Sequence, residues 1–510
     1  MKVLLIRPPY VLPYTSIYGN KGVPSLGVAY LAGALREEGH EVACLDAFAE
    51  NMDEFKRIEG TELLVNGMSV SKIVESVPKD IEVVGISCMF SNEWINTIEI
   101  VKALKVERPD IFLVLGGEHV TADSEYILKN FPEVDCCILG EGEDKIKSLI
   151  NSLEAKRELK EIGGISFYDK DSERIVAPAF AYRKKEIDEI ANPAWDLLPL
   201  EEFLDRGMGM SIQGHRNIPM LLSRGCPYRC TFCSNENMWT TRWVSRDIDS
   251  VIQEIKFYIY SYNVDHIDFY DLTAVVNKKW TIKFCERLIE EDLGITWSLP
   301  SGTRSEALDY EVLKLLKESG CRKITYAPES GSEYMLKKIQ KRVKLPNMLK
   351  SMRHAVKLGL IVKSNIIFGF PDERYRDILA NFILMFKMAW IGVHDVPCFG
   401  FTPYPGSRLF DRLFAEGKIQ RDENYNIFLA NLVYTSALDR KSWADGIPAF
   451  LPPMLSLGGM AFFYFFQYFF RPWRFLRLLK LVFTNKPQTM LEVAFCNMVD
   501  DFWKGRRSNA

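Results

Sequence analysis

Ser223-Arg224-Gly225-Cys226-Pro227-Tyr228-Arg229-Cys230-Thr231-Phe232-Cys233-Ser234 sets three cysteines in a C-x3-C-x2-C spacing, directly after a short apolar run at 220–223. Three thiolates on one loop can hold three irons of a cubane [4Fe–4S] cluster and leave the fourth iron open to a small molecule. A structural zinc site wants four closed ligands, and no further Cys or His lies nearby at a suitable interval. Ferredoxin clusters use four cysteines. A three-cysteine loop with one open iron therefore points to catalysis rather than electron storage, with Cys226, Cys230 and Cys233 as metal ligands.

Strand–helix alternation surrounds this loop. Downstream, strands are expected at 266–270, 296–299, 323–327, 363–368 and 396–402, with helical patterns between them. Together with 220–223 this makes about six βα units to residue 420, an α/β body that fits a partial (β/α)6 barrel. Upstream, strands at 3–6, 41–45, 83–87, 111–115 and 136–139 alternate with helices at 26–38 and 92–106. Short buried strands alternating with helices specify a Rossmann-like, doubly wound parallel sheet. Ligands in such sheets sit beyond the carboxyl ends of the strands. Ser87, Gly116, Gly117 and Gly140 are therefore candidate binding positions. Residues 151–205 are charged and broken by proline, and suggest a small β excursion followed by a linker. The expected division is 1–150, the 151–205 linker, 206–420, and a helical region at 421–510.

The chain has 510 residues, about three domains' worth. Apolar residues are 47% and charged residues 26%, which excludes disorder, collagen and coiled coil as the main architecture. A net charge of −3 carries no global excess for coating a nucleic acid. Eleven cysteines, an odd number, with no secretory leader at the N-terminus, point away from a disulfide scaffold and toward a reducing cytoplasm.

The pattern resembles the radical S-adenosylmethionine (SAM) enzymes that carry an N-terminal cobalamin-binding domain, over roughly residues 1–410. That resemblance implies a [4Fe–4S] cluster whose open iron chelates SAM, whose reductive cleavage gives methionine and a 5′-deoxyadenosyl radical. It places Phe232 near the adenine, Asp271 of Phe269-Tyr270-Asp271 at the SAM amino group, and Arg304 near the SAM carboxylate or the substrate. Pro328-Glu329-Ser330-Gly331-Ser332 resembles the ribose-binding turn, with Glu329 and Ser330 at the hydroxyls. Ile366-Ile367-Phe368-Gly369-Phe370-Pro371 resembles the strand lying along the adenine, with Ile367 in contact. Thr402-Pro403-Tyr404-Pro405-Gly406-Ser407 resembles a closing segment of the same branch. In the N-terminal part, Pro24-Ser25-Leu26-Gly27, Gly39-His40-Glu41-Val42, Asp46 and Gly116-Gly117-Glu118-His119 resemble cobalamin-binding segments. The Asp-x-His-x-x-Gly motif that supplies a lower axial imidazole is absent. His119 is expected to form hydrogen bonds rather than ligate cobalt, and His40 to lie at the surface.

The resemblance implies methylation of an unactivated carbon of a small molecule, and the aromatic C-terminal segment points to a hydrophobic one. Alternatives are a cyclisation or rearrangement on the same cofactors, or a membrane-associated iron–sulfur sensor or binding protein. Its implied partners are a reductant such as flavodoxin or ferredoxin, and no nucleic acid. Residues 454–470 are uncharged and rich in Phe and Tyr, and Arg471, Arg474, Arg477 and Lys480 follow at three-residue steps. This segment fits three roles: an interfacial helix pair whose four cations meet anionic lipid at the inner face of a membrane, a buried cap or tunnel beside the active site, or a membrane span, for which it is short.

Overall fold

Five short apolar runs build the parallel part of the first sheet: β1 (Lys2–Arg7), β2 (Glu41–Asp46), β3 (Val83–Ser87), β4 (Phe112–Gly116) and β5 (Cys136–Ile138). The computed structural model describes residues 1–14, 22–59, 61–177, 183, 186–211, 215–433, 442–484 and 487–496. Parallel neighbours need helical crossovers, and α1 (Leu26–Glu37) and α2 (Glu118–Asn130) are among those that supply them, while α3 (Glu143–Glu154) leads out of β5. The carboxyl ends of all five strands consequently open on one edge.

The 151–205 excursion does more than link. β6 (Ile165–Asp169) pairs antiparallel with β5, and β7 (Arg174–Val176) pairs antiparallel with β6. The sheet order is β7-β6-β5-β4-β3-β1-β2, so the expected parallel sheet carries a two-stranded antiparallel edge. A tight turn joins β6 to β7 with no helix between them, which is why this hairpin leaves no helical signature. A further antiparallel trio, Tyr10–Pro13, Phe55–Arg57 and Leu63–Asn66, was not expected from the sequence pattern.

The second sheet has six parallel strands in sequential order: β8 (Asn217–Met220), β9 (His266–Phe269), β10 (Thr296–Thr303), β11 (Cys321–Glu329), β12 (Ile361–Phe368) and β13 (Cys398–Gly400). Each strand neighbours the next, the arrangement of a barrel left open at one side. The loop after β8 carries the three cysteines and runs into a short helix, α4 (Asn235–Trp239). β12 alternates between fully and partly buried residues. Val362, Ile366 and Phe368 enter the core shared with the surrounding helices, while Ile361, Lys363, Asn365 and Ile367 occupy the opposite face.

Three C-terminal helices flank the barrel: α5 (Tyr375–Ile391), α6 (Leu451–Phe470) and α7 (Pro472–Thr484). Pro472 cannot continue α6, so the chain breaks at Arg471. α6 is pegged to the barrel by polar groups on one face. Tyr464 Oη donates to Asp395 Oδ1 at 2.6 Å, and Gln467 Nε2 donates to the His394 carbonyl at 2.6 Å. Three of the four cations that follow are held by the protein itself. Arg471 donates to the Ala389 carbonyl at 2.8 Å and Arg474 to the Gly392 carbonyl at 2.9 Å, capping the C-terminal end of α5. Arg477 pairs with Glu492 at 3.1 Å. Among the described residues no helix is long and apolar enough to cross a membrane, so the spanning role finds no support there.

Candidate active site

The cysteine loop is rooted by side chains from neighbouring barrel strands. Asp271, just past β9, is 2% exposed. Its Oδ2 accepts from the Leu222 N–H at 3.0 Å and its Oδ1 from the Ser223 hydroxyl at 2.5 Å. Burial pushes its carboxyl up to about 6. Asp271 thus stands at the strand end expected of it, with its oxygens engaged by the root of the loop. The loop is also stitched from the far side: Thr231 N–H donates to the Ile339 carbonyl at 3.0 Å, and Leu409 N–H donates to the Thr231 carbonyl at 2.9 Å.

The three thiols are free of disulfides; Cys226 and Cys230 are partly buried and Cys233 is exposed. Burial raises Cys226 and Cys230, while the Lys341 ammonium and the Arg304 guanidinium favour their thiolates. Among the described residues no three His, Cys, Asp or Glu side chains gather around a single metal ion. A cubane takes one thiolate per iron, so its ligands stand apart on their loop instead of converging.

Arg304 follows β10. Its guanidinium lies 3.7 Å from the centroid of the Tyr228 ring inside the loop and bonds Glu306 Oε1 at 2.6 Å. It also donates to the Arg342 carbonyl. Its Nη1 is buried and has no partner in the protein, a donor available to an anionic ligand group beside the cysteines. At the end of β11, Glu329 adopts φ +66° and pairs with Lys341 at 3.0 Å, both side chains nearly buried. The Ser330 hydroxyl donates to Asn381 Oδ1 of α5 at 3.0 Å and accepts from the Ser332 N–H at 3.2 Å, so it is already engaged by the protein. Phe232 packs edge-on against Phe370 at 5.7 Å. Ile367 lies one residue before the end of β12, on the partly buried face of that strand.

Across from this loop lies the open edge of the first sheet. A largely apolar cleft, about 760 Å³ with the open solvent at its mouth counted in, is lined there by Ser87, Gly116, Gly117, Gly140, Met238 and Trp239, among others. Four of these are the positions expected from the strand ends. Met238 and Trp239 come from α4, just after the cysteines, so one cleft is walled by the first sheet and by the helix that follows the cysteine loop. Gly117 has φ +116°, and a Cβ there would stand 2.4 Å from the Cys88 carbonyl oxygen. Gly27 also lines the cleft, and a Cβ there would meet nothing within 4 Å. The backbone therefore borders open space of the kind a large flat ligand fills.

Several contacts at this junction were not legible in the sequence. Arg224 is buried and bridges Glu143 at 2.7 Å and Glu141 at 3.3 Å, both from the first sheet's edge. Its guanidinium also lies 4.9 Å from the Tyr30 ring centroid. Ser234 bonds Glu118. Asn235 is 4% exposed, and both polar atoms of its amide lack a partner in the protein. Its place two residues after Cys233 was the available signal. Arg7, Asp46 and Glu93 form a buried polar group at the ends of β1 and β2, where burial raises the Glu93 carboxyl to about 7.

His119 is buried, 3.1 Å from Ser91 Oγ through Nδ1, with its ring against Trp94. Burial lowers it to about 3, which keeps the imidazole neutral. It is not among the residues lining the cleft. His40, expected at the surface, is 7% exposed and bonds Asn151 at 2.9 Å. The turn that carries it is covered by α3.

An α/β sheet facing a partial barrel across a three-cysteine loop defines a class: enzymes that set a redox cluster against a large cofactor. The comparisons agree. A B12 binding domain matches residues 21–150 and the Radical SAM superfamily matches residues 220–382. An uncharacterized methyltransferase of Pyrococcus horikoshii is 32% identical over 418 residues, 81% of this chain and 83% of its own. An anaerobic magnesium-protoporphyrin IX monomethyl ester cyclase of Rubrivivax gelatinosus is 27% identical, over 88% of this chain and 76% of its own. The radical SAM methyltransferase TsrM of Kitasatospora setae, solved with tryptophan and a SAM analogue, shares the fold with a TM-score of 0.60 at 15% identity, over 80% of this chain and 75% of that one. The chain belongs to the cobalamin-binding radical SAM enzymes. Its cofactors are those of the family: a [4Fe–4S] cluster, SAM and cobalamin.

Proposed function

We propose that this chain transfers a methyl group to an unactivated carbon of a hydrophobic small molecule. The observation that carries the proposal is the single cleft walled by the strand ends of the first sheet and by α4, directly behind the cysteine loop. When bound, the cluster supplies the electron that cleaves SAM, and cobalamin supplies a carrier for a methyl group. The chain's own part is to hold and screen. Cys226, Cys230 and Cys233 hold the cluster. Arg304 offers its unpartnered Nη1 to the SAM carboxylate, and Phe232 walls the adenine side together with Phe370. Glu329, fixed by Lys341, faces the ribose, and Ile367 borders the adenine. Asp271 and Ser330 keep the loop and the turn in place through the bonds they already make. Ser87, Gly116, Gly117 and Gly140 let the backbone approach the corrin closely. The apolar cleft keeps water from the reacting carbon. A small reductant such as flavodoxin or ferredoxin would deliver the electron to the cluster.

The cyclases among the relatives support a second reading, ring formation on the same cofactors. Both share one requirement, tested by replacing Cys226, Cys230 and Cys233 with Ala. The triple variant is expected to fold with native circular dichroism, to lose the iron–sulfur absorbance, and to form no 5′-deoxyadenosine from SAM under dithionite. SAM cleavage at the native rate by a folded triple variant overturns the assignment.

A further inference from the structure

The side of the barrel covered by α5, α6 and α7 presents an apolar surface of unusual extent. Close to half of the large hydrophobic side chains exposed on the described surface lie on these three helices or at Phe450, just before α6. Along α5 they recur at helical spacing through Leu379 and Ile383 to Trp390, at 61%, 49% and 62% exposure. Along α6 the outward stripe ends in Phe465 and Phe469, at 64% and 70%. The two stripes merge, because the Phe386 ring meets Phe466 at 4.9 Å and Trp390 meets Phe470 at 4.9 Å. Trp473 of α7 extends the surface past the Arg471 break. Contiguous apolar patches of this kind mark interaction sites.

We propose that this face docks on the surface of a phospholipid membrane. Two features of the patch select lipid over a protein. First, the exposed positions of α6 carry no polar side chain, whereas a protein interface fixes its register with about one hydrogen bond per 100–200 Å²; a lipid surface requires no register. Second, α5 exposes two charged side chains, Arg376 and Lys387, both cationic, which complements phosphate headgroups. Trp390 and Trp473 stand on either side of the Arg471 turn, and tryptophan favours the headgroup boundary. Arg471 and Arg474 are spent on the α5 carbonyls, so apolar burial carries the contact and anionic lipid adds only a modest gain. The proposal is separate from methyl transfer, since it concerns binding alone.

Flotation of the cluster-loaded full chain tests it. Two vesicle preparations serve: phosphatidylcholine alone, and phosphatidylcholine with phosphatidylglycerol. The native chain is expected to float with both, more completely with the second. A Leu379→Glu/Phe465→Glu/Trp473→Glu variant is expected to lose at least tenfold in partitioning while keeping native iron–sulfur absorbance. Arg376→Gln/Lys387→Gln is expected to float on neutral vesicles as the native chain does and to lose the anionic gain. As a guard against misfolding, Phe469→Ser alone should weaken flotation by a smaller factor. A native chain that stays at the bottom of the gradient overturns the proposal, as does a triple variant that floats like the native chain. Light scattering that finds a native dimer, split to monomers by the triple variant, also overturns it and gives the face to a second copy of the chain.

Discussion

Arg224 shows what a single side chain does at the junction of the two sheets. It begins the cysteine loop, yet its partners Glu141 and Glu143 belong to the edge of the other sheet. All three groups are buried, and a buried charge left without its partner is far costlier than the intact pair is stabilising. Arg224→Ala should therefore cost about 3–5 kcal/mol in denaturant unfolding. Adding Glu143→Gln should return part of that loss, because one of the stranded carboxylates is removed. A single Arg224→Ala chain as stable as the native one would show that the junction is held by other contacts. The cysteines were legible because their chemistry lies in local spacing. Arg224 and Asn235 were not, since the partners of Arg224 are more than eighty residues away and the importance of Asn235 lies in bonds its amide does not make.

At the scale of elements, the strand ends place the cleft and their glycines keep it open. Gly117 sits at φ +116° with the Cys88 carbonyl 2.4 Å from where a Cβ would be. Gly117→Ala combines a backbone strain of about 1–3 kcal/mol with a clash against main chain that cannot move aside. The variant should melt several degrees lower and purify with little cobalamin, read from the corrin absorbance per chain. Full loading at the native melting temperature would contradict the role given to this turn. The parallel strands and the helices between them were legible because each is a short buried run followed by a helical period. β6 and β7 were half legible: composition marked an excursion, but an edge hairpin pairs through its backbone and leaves no periodic signal. The apolar stripe of α5 was also hidden, because its outward apolar positions share the spacing of a core-facing helix. The exposed side of α6 was confounded with its buried side, since both are Phe and Tyr.

In the whole molecule, the carboxyl ends of one sheet face the loop at the carboxyl end of the other, and a cleft lies between them. This is the common logic of α/β ligand sites, used here from two directions. It explains why ordered segments so far apart in sequence bear on one volume: the strand-end glycines from one side, α4 and the cysteine loop from the other. The family and its cofactors follow from this arrangement together with the relatives. Substrate identity was not legible, because the motifs position cofactors that methyl transfer and ring formation share. The most direct measurement is mass spectrometry of lipid and soluble extracts from parent cells and from cells lacking this chain, both grown on methyl-deuterated methionine. A compound that disappears with the chain, carries the labelled methyl in the parent and is replaced by a precursor lacking that methyl is the predicted result. A missing compound without label would contradict methyl transfer and give the site to ring formation or rearrangement.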